Sequence, residues 1–458
     1  MQTEFTLAQL ADPDIAASEK ILRACVHCGF CTATCPTYVL LGDELDSPRG
    51  RIYLIKNMLE ESGPDGGKTE GAQTIGAETV KHIDRCLSCL ACVTTCPSGV
   101  NYMHLVDHGR RHIAQHYRRP WGERLLRWGL GHVLTRPAWL RLALALAGRA
   151  KPFAGLLPRQ LRPLLALAPA SVPAASAMDR PQVFPAAGER RMRVALLPGC
   201  AQQVLAPAIN EATIRLLTRH GAEVVVVPSS GCCGALVHHL GKEAPALASA
   251  RANIDAWEGA RVTAGLDAIV ANASGCGTML KDYGFLLRSD PAYAEKAGRI
   301  AALARDISEV IAALGLQPPA RLPPLRVAYH SACSLQHGQR IEREPWDLLA
   351  AAGFAVVEVP EGHLCCGSAG TYNLLQPELA AALRERKLAN IALTRADLVA
   401  AGNIGCITQL AGDAQLPVVH TVQLLDWATG GPIPLELAAL AATAGGPPPE
   451  SPATAPEH

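Results

Sequence analysis

Two short cysteine motifs near the N-terminus constrain the fold of this chain more than any other feature. The first reads Cys-x2-Cys-x2-Cys-x3-Cys-Pro over residues 25–36, and the second repeats that spacing over residues 86–97. A loop of seven residues presents three thiolates around an iron-sulfur cubane, so the fourth ligand has to come from elsewhere. The proline after each fourth cysteine turns the chain away from its own loop. The two motifs are therefore expected to fold together.

The doubled spacing is typical of two-cluster bacterial ferredoxins and predicts two [4Fe-4S] clusters with exchanged ligands. Zinc sites and disulfides are the alternatives, since paired Cys-x2-Cys elements often bind zinc. A tetrahedral zinc ion has no use for this four-plus-four arrangement, so we favour the clusters. We assign the first cluster to Cys25, Cys28, Cys31 and Cys96, and the second to Cys86, Cys89, Cys92 and Cys35.

Basic and imidazole side chains flank these motifs. Guanidinium groups from Arg49, Arg51 or Arg85 would raise the reduction potential of an anionic cluster, although Arg49 and Arg51 could equally cap a helix or lie in solvent. His27 and His82 are not predicted as ligands, because eight thiolates already suffice.

The other eight cysteines fall into two sets that recur along the chain. Residues 193–200 (RVALLPGC) match residues 326–333 (RVAYHSAC), and the Cys-Cys-Gly element at 232–234 matches the one at 365–367. This regularity indicates an internal duplication. The candidate ligands are Cys200, Cys232, Cys233 and Cys276 in the first repeat and Cys333, Cys365, Cys366 and Cys406 in the second.

Each repeat alternates short β-branched runs with helical patterns, which predicts a parallel α/β sheet. The cysteines come at the carboxyl ends of the predicted strands, so those of one repeat should converge. We therefore predict an α+β multidomain protein, in which a helical two-[4Fe-4S] ferredoxin-type domain precedes two α/β Cys-Cys-Gly (CCG) domains. The expected bounds are 1–117 for the ferredoxin-type domain, 118–190 for a basic amphipathic helical segment with a Pro/Ala-rich linker, 191–322 and 323–432 for the CCG domains, and 433–458 for a disordered tail.

The segment between the motifs and the repeats is strongly basic. Residues 118–163 contain ten basic residues and one acidic residue, together with three of the six tryptophans. Such a helical face suits an anionic membrane surface, or it docks against another subunit.

The charge balance, the N-terminal pattern and the motifs of the whole chain argue against several classes of function. With 42 basic and 41 acidic residues, the charge balance gives no reason to expect nucleic acid. Residues 1–15 show no signal-peptide pattern, which favours a cytoplasmic location and a non-disulfide role for the cysteines. No nucleotide-binding glycine motif, Walker loop or Ser-His-Asp arrangement is apparent, so we predict no catalytic residue here.

Two ferredoxin motifs followed by two CCG repeats resemble the iron-sulfur subunits of glycolate oxidase, glycerol-3-phosphate dehydrogenase and lactate-utilisation systems, with heterodisulfide reductase more distant. Residues 23–53, 253–257, 273–277 and 363–372 look like the glycolate oxidase subunits in particular. The resemblance runs from about residue 22 to residue 426.

One departure from the wider family concerns a fifth cysteine. CCG domains with unusual clusters commonly end in Cys-x2-Cys, but here Ala273 and Asn403 stand three residues before the final cysteines. Four thiols per repeat could still hold a cubane or a zinc ion, or the sites are vestigial or merely structural.

The resemblance implies an electron-transfer subunit of an FAD-dependent complex that oxidises glycolate to glyoxylate, with D-lactate as a further substrate. FAD would lie on partner subunits only, because clusters pass single electrons whereas alcohol oxidation removes two together. A quinone on the inner face of the cell membrane, or another acceptor, would receive the electrons. The alternatives are a heterodisulfide-reductase-like catalytic subunit, which the missing fifth cysteines disfavour, and a zinc-stabilised assembly scaffold.

Overall fold

The computed structural model describes residues 1–62, 75–156, 165, 168–169, 171–319 and 324–443. Its N-terminal domain consists of short helices around one apolar core that includes Leu22, Ile55 and Leu105. The helices are α1 Leu7–Leu10, α2 Pro13–Ala24, α3 Phe30–Ala33, α4 Pro36–Leu41, α5 Pro48–Glu60, α6 Ala77–Asp84, α7 Ala91–Thr95 and α8 Tyr102–His116.

Local sequence signals explain where the longer helices begin. Asp12 caps α2 by accepting hydrogen bonds from the backbone of Asp14 and Ile15, and Ser47 caps α5 by accepting one from Gly50. A proline occupies the first position of each of these helices, where its fixed φ is favourable and its missing N–H costs nothing. The two capped helices carry the apolar side chains that form the domain core.

Two further helices follow, α9 Trp121–Val133 and α10 Pro137–Ala150. Ion pairs within the protein neutralise much of the positive charge in α9 and just before it. Arg119 and Arg127 both bind Asp84 of α6, at 2.6 and 2.9 Å, and both also bind Glu123. These ion pairs hold α9 against the N-terminal domain, so the net charge of the segment overstates what it presents to solvent.

The rest of the described chain forms two α/β units. In the first, the strands are β1 Gln182–Phe184, β2 Met192–Leu197, β3 Ala222–Val226, β4 Ala268–Ala271 and β5 Ala304–Asp306, and the helices are α11 Gln202–Leu205, α12 Pro207–Arg219, α13 Ala235–His239, α14 Glu243–Ala264, α15 Ser274–Lys281, α16 Tyr283–Leu286, α17 Ala294–Leu303 and α18 Ile307–Leu314. In the second, the strands are β6 Arg326–His330, β7 Ala355–Glu358, β8 Leu398–Ala401 and β9 Val418–His420, and the helices are α19 Glu344–Ala351, α20 Tyr372–Leu375, α21 Pro377–Leu393, α22 Ile404–Ala411, α23 Thr421–Ala428 and α24 Ala438–Thr443. A π-helical turn spans Ser334–Gln339, and a 3-10 turn spans Leu435–Leu437.

The two sheets have matching topology. Their strand orders are β1-β3-β2-β4-β5 and β7-β6-β8-β9, and every pairing except that of β1 with β3 is parallel. Leu197 of β2 lies opposite Ala271, and His330 of β6 lies opposite Ala401, so the two repeats share one register. This architecture confirms the predicted α+β multidomain class.

A single apolar core joins the two repeats. It takes Leu196 and Val224 from the first sheet and Val327 and Leu398 from the second, all of them fully buried. Helices α12 and α23 pack against each other within this core. The duplicated units are therefore fused into one body.

Two segments differ from the sequence-based expectations. Strand β1 lies within the expected linker and pairs with β3, so the first sheet begins before residue 191. Residues Leu435–Thr443 of the expected disordered tail are helical, and Leu437 is fully buried in the shared core. The stretch is rich in the strong helix formers Ala and Leu, and burial of Leu437 holds it against the core. Residues 444–458 of the expected tail lie outside the described part of the chain.

Candidate iron-sulfur sites

The first three cysteines of each motif lie on loops of the same unusual backbone shape. Two residues per loop adopt a left-handed conformation: His27 (φ 54°) and Gly29 (φ 88°) in the first, and Ser88 (φ 52°) and Leu90 (φ 64°) in the second. Non-glycine residues rarely adopt this conformation, so its recurrence at matching positions points to a functional constraint. It wraps each loop around one point, as a shared metal group requires.

The first loop faces the end of the second motif. Cys25, Cys28 and Cys31 line one small cavity together with Cys96 and Cys92. Burial, together with nearby Cys25 and Cys35, raises the pKa of the Cys31 thiol to about 11, although a backbone hydrogen bond from Arg49 opposes the rise. Neutral thiols that converge on one point are what a cluster or metal ion would convert to bound thiolates.

Cys35, the last cysteine of the first motif, lies beside the second loop instead. Burial raises the pKa of Cys92, and Cys89, Cys86 and Cys35 raise it further by their proximity. Cys35 itself is buried and within 3.3 Å of the Thr37 hydroxyl. The eight thiols therefore fit two clusters held across the two motifs, and the ligand assignment stays a prediction.

A buried ion pair lies beside the second set of candidate cluster ligands. Arg51 is 1% exposed and binds Asp46 at 3.1 Å, and its Nη1 lies 3.8 Å from the Cys35 sulfur. Arg85 binds the other oxygen of Asp46 at 2.8 Å. Arg49 pairs with half-exposed Glu44 and also lines the cavity of the first loop. Of the arginines singled out in the sequence, Arg51 thus lies buried at the second candidate cluster, and Arg49 lies partly exposed at the first.

In the first repeat, the four cysteines converge at the carboxyl end of the sheet, as the strand pattern predicts. Hydrogen bonds from Cys200 and Cys233 lower the pKa of Cys232 to about 4. Hydrogen bonds with Cys232 and Cys276, together with burial, raise the pKa of Cys233. Cys276 therefore also belongs to this site. One thiolate shared among several thiols is a donor set ready for a metal.

The four cysteines of the second repeat also converge, and their site is more deeply buried. The Cys333 and Cys365 sulfurs are 3.8 Å apart. Hydrogen bonds from Cys365 and Cys406 lower the pKa of buried Cys366. Gly367 after the cysteine pair has φ 91°, and a Cβ there would come 2.5 Å from the Ala380 carbonyl oxygen, so the turn requires glycine.

His330 belongs to the second site, although the sequence motifs did not indicate it. It ends β6, is 1% exposed, and neither ring nitrogen has a hydrogen-bond partner among the residues that the structure describes. Its ligand nitrogen and the sulfurs of Cys366 and Cys406 all lie within 4.8 Å of one another. An orphaned buried imidazole beside thiols is a candidate metal ligand. The matching residue of the first repeat is Leu197, and aligning the two repeats would have revealed this difference.

The position of the absent fifth cysteine differs between the repeats. Asn403 directs its side-chain amide at the Cys406 sulfur, 3.5 Å away, whereas Ala273 offers no polar group. The second site therefore combines four thiols, an imidazole and an amide donor. At the matching positions of the first repeat, Leu197 and Ala273 supply neither an imidazole nor an amide.

The second repeat adjoins the ferredoxin-type domain. Cys89 and Cys365 belong to one buried cluster with Leu87, Ala91 and Tyr372. Burial raises the pKa of Cys89, and Cys333 of the second repeat is the next largest contributor to the rise. The second cluster set and the second CCG site are thus neighbours.

Both CCG sites open onto one apolar cavity of about 750 Å³ beneath α9 and α10. Its walls include Leu126, Leu130, Leu140, Leu144 and Ala147 from the two helices. Its floor includes Cys200, Cys233 and Cys276 of the first repeat and Cys333, Cys365, Cys366 and Cys406 of the second.

A helical domain with two ferredoxin-type cysteine loops, joined to a duplicated cysteine-rich α/β unit, defines an iron-sulfur protein of the dicluster class. Residues 21–100 match the family model of a 4Fe-4S dicluster domain, and residues 194–281 and 327–411 each match that of the CCG cysteine-rich domain. In the part of the chain that the structure describes, we find no helix with the length and apolar character needed to cross a membrane.

Curated relatives place the chain more narrowly. It is 43% identical to the glycolate oxidase iron-sulfur subunit of Escherichia coli K12, over 93% of this chain and 99% of that one. It is 34% identical to the probable glycolate oxidase iron-sulfur subunit of Bacillus subtilis 168, over 86% of this chain and 89% of that one. Lactate utilization protein A of Bacillus licheniformis is 25% identical over 51% of this chain and 99% of its own length. The chain belongs to the family of glycolate oxidase iron-sulfur subunits.

Proposed function

We propose that this chain is the electron-transfer subunit of a complex that oxidises glycolate to glyoxylate, and that D-lactate is a further substrate. FAD on partner subunits takes the two electrons from the substrate. This chain then passes them to a membrane quinone or another acceptor. When bound, [4Fe-4S] clusters supply one-electron transfer at the two ferredoxin-type sites.

The observation that carries the proposal is the continuous series of thiol sites through the molecule. Cys28 is exposed, and the neighbouring Val26 and Phe30 are 67% and 64% exposed. This apolar surface suits docking of the partner that carries the flavin. From there the series runs inward to Cys89, which packs with Cys365 of the second repeat.

The same geometry supports the proposed ligand roles. The first cluster is held by Cys25, Cys28, Cys31 and Cys96, and the second by Cys86, Cys89, Cys92 and Cys35. The two CCG sites hold a further cluster or a zinc ion each. The domains take the bounds expected from the sequence, except that the first CCG domain begins with β1 and the second extends to Thr443.

A peripheral position on the inner face of the cell membrane suits the exposed side chains of α9 and α10. Trp121, Trp128 and Trp139 are 80%, 58% and 51% exposed, and Leu142 and Leu146 lie exposed beside them. Tryptophan and leucine on a helical surface favour the membrane interface.

Metal analysis tests the cofactor part of this proposal. Anaerobically purified chain should contain about eight iron atoms with matching acid-labile sulfide, from two cubanes. An iron content near sixteen would add a cubane at each CCG site. Stoichiometric zinc without labile sulfide contradicts the proposal and favours a zinc-stabilised scaffold.

Turnover tests the electron-transfer part. The isolated chain should not oxidise glycolate with an artificial acceptor, whereas its complex with the flavin subunits should. In the complex, Cys28→Ser should leave bleaching of the flavin by glycolate intact and abolish delivery to the acceptor. Gel filtration of the variant controls for assembly. Turnover by the isolated chain, or unchanged delivery in the variant, contradicts the proposed role.

A further inference from the structure

We infer that the apolar cavity between α9, α10 and the two repeats is the binding site of a lipophilic quinone, which is reduced there. This inference rests on the proposed function and adds the place where the acceptor binds. Three observations lead to it: the size and lining of the cavity, the thiol sites on its floor, and the exposed side chains around it.

The cavity has the size and lining of a site for a small apolar molecule. Its volume of about 750 Å³, part of which a cluster or zinc ion at the CCG sites would take up, lies within the range of roughly 300 to 1,000 Å³ typical of ligand pockets. Leucine and alanine side chains from α9 and α10 form its walls, and Leu165 and Ala168 extend them. Such walls suit an isoprenoid chain and exclude a charged or strongly hydrated acceptor.

The residues on the floor of the cavity indicate which kind of apolar molecule would bind there. It consists of cysteines from both CCG sites, and one of those sites adjoins Cys89 of the second ferredoxin-type set. A molecule in this cavity is therefore in contact with the inner end of the series of thiol sites. A lipophilic molecule that accepts electrons fits the floor and the walls together, and a quinone is such a molecule.

A few polar groups on the same floor can bind the quinone carbonyl oxygens. Asn373 and Asn403 carry side-chain amides that line the cavity, and Ser368 and His239 add a hydroxyl and an imidazole. A mostly apolar pocket with a few converging polar groups is the usual form of a site that orients a ring.

The outer side of the cavity connects to the surface proposed to face the membrane. Trp128, Leu125 and Leu146 line the cavity and are also 58%, 57% and 56% exposed. The same two helices therefore contribute to the cavity and to an apolar surface. A quinone dissolved in the bilayer could enter without crossing water.

The reaction balances with the proposed source of electrons. Each quinone takes two electrons, delivered one at a time, and two protons from water, and it leaves as the quinol. Oxidation of one glycolate to glyoxylate on the partner subunits supplies both electrons.

Two glycines of α9 allow a matched test. Gly129 lines the cavity, whereas Gly122 lies exposed about two turns earlier in the same helix and is not among the lining residues. Apart from the helix's own backbone, a Cβ at either position meets no atom of the described residues within 4 Å. Gly129→Phe should therefore project a ring into the cavity without straining the helix. Gly122→Phe adds the same ring to the same helix outside it.

The experiment uses the assembled complex and an azido-ubiquinone analogue as the probe. We expect Gly129→Phe to lower photolabelling of α9 and α10 peptides, and glycolate-dependent reduction of decylubiquinone, by more than about tenfold. Flavin bleaching by glycolate and reduction of a soluble dye should stay unchanged. Gly122→Phe should behave as the unmodified complex in every assay.

The outcomes separate this inference from the proposed function. Full labelling and full quinone reduction in Gly129→Phe, or labelling confined to other peptides, overturns the cavity assignment and leaves the electron-transfer role standing. Failure of the unmodified complex to reduce decylubiquinone while it reduces the dye also overturns the assignment, and identifies a soluble acceptor. Failure of the complex to oxidise glycolate at all counts against the proposed function itself.

Discussion

Cys89 of the ferredoxin-type domain and Cys365 of the second repeat lie in the same buried apolar cluster. Only the second repeat contributes a cysteine to that cluster, so the two CCG sites are not equivalent with respect to the N-terminal domain. The second site is the neighbour of the second cluster set, and it shares the apolar cavity with the first site.

The first prediction concerns exchange of ligands between the motifs. Cys35→Ser should remove or alter the cluster of the second loop and leave that of the first, because the Cys35 sulfur lies among the second set. Cys96→Ser should do the opposite, since Cys96 lines the cavity of the first loop. Iron content and the EPR spectra of the two reduced variants are the measurements. Two variants with interchangeable spectra, or damage confined to each mutated motif, contradict the assignment.

The second prediction concerns the buried Arg51–Asp46 pair. Arg51→Met should destabilise the chain by about 3 kcal/mol, because Asp46 loses a partner in a fully buried position. The midpoint potential of the nearby cluster should also fall, since a positive charge next to Cys35 is removed. Chemical denaturation and a redox titration measure the two effects.

Arg49→Met is the matched control for that variant. Arg49 is two residues away in the same helix, but its ion pair with Glu44 is partly exposed and it lies at the first loop rather than at Cys35. Exposed pairs contribute about 0 to 1 kcal/mol, so little change is expected in the stability of the chain or in the midpoint potential of the second cluster. Equal effects of the two variants would mean that burial of Arg51 is not the cause.

The third prediction concerns His330. His330→Leu, which copies Leu197 of the first repeat, should weaken metal retention at the second CCG site by more than about tenfold, because one donor is lost. Iron and zinc remaining per chain during titration with a chelator measure this. Tyr329→Phe on the same strand is the control, since Tyr329 packs into the shared core on the other face. Unchanged retention in His330→Leu excludes the histidine as a ligand.

The fourth prediction concerns pH and the contact between α8 and α13. Burial alone would lower the pKa of His238, yet the Asp107 carboxylate 3.3 Å away raises it. Burial alone would raise the pKa of Asp107, but His238 and His239 hold it well below its usual range. Asp282 also raises the pKa of His238, and Arg110 opposes the rise.

The signs of these shifts define a pH window. A raised histidine pKa adds stability below the ordinary value of about 6.5, and this is lost as pH rises through the folded-state value. A lowered aspartate pKa adds stability above about 3.9, and this is lost as pH falls through the folded-state value. The contact should therefore be strongest between about pH 4 and 6.5, and the thermal midpoint should fall toward alkaline pH.

Substitution isolates the histidine contribution. His238→Gln should flatten the alkaline fall of the thermal midpoint, whereas exposed His116→Gln should keep it. An alkaline fall of the same size in His238→Gln would assign the pH dependence to other groups.

Much of the site could be read from cysteine spacing, because metal chemistry fixes both the residue type and the distance along the chain. The equal offsets between the repeats likewise predicted that Cys200 and Cys276 converge, since parallel strands of one sheet end at one edge. Both are local or periodic signals, which a single sequence carries in full.

What the sequence did not indicate depends on contacts between distant segments. His330 has no motif around it, and its role appears only when β6 brings it to Cys366 and Cys406. The charge count of residues 118–163 suggested a free basic face, but Asp84, more than 30 residues away, pairs with Arg119 and Arg127. Leu437 was expected to lie in a disordered tail, but the structure buries it in the core shared by the two repeats.

The common core of the two repeats also sets what each copy was free to change after the duplication. Leu196 of β2 and Tyr329 of β6 both pack into the core shared by the two copies. A substitution at such a position in one copy must therefore be accommodated by the other. Strand ends face the metal sites, where Leu197 and His330 have already diverged. The shared core thus constrained the interiors of both copies, while the residues at their strand ends could change. One duplicated fold could therefore provide two sites with different ligand chemistry.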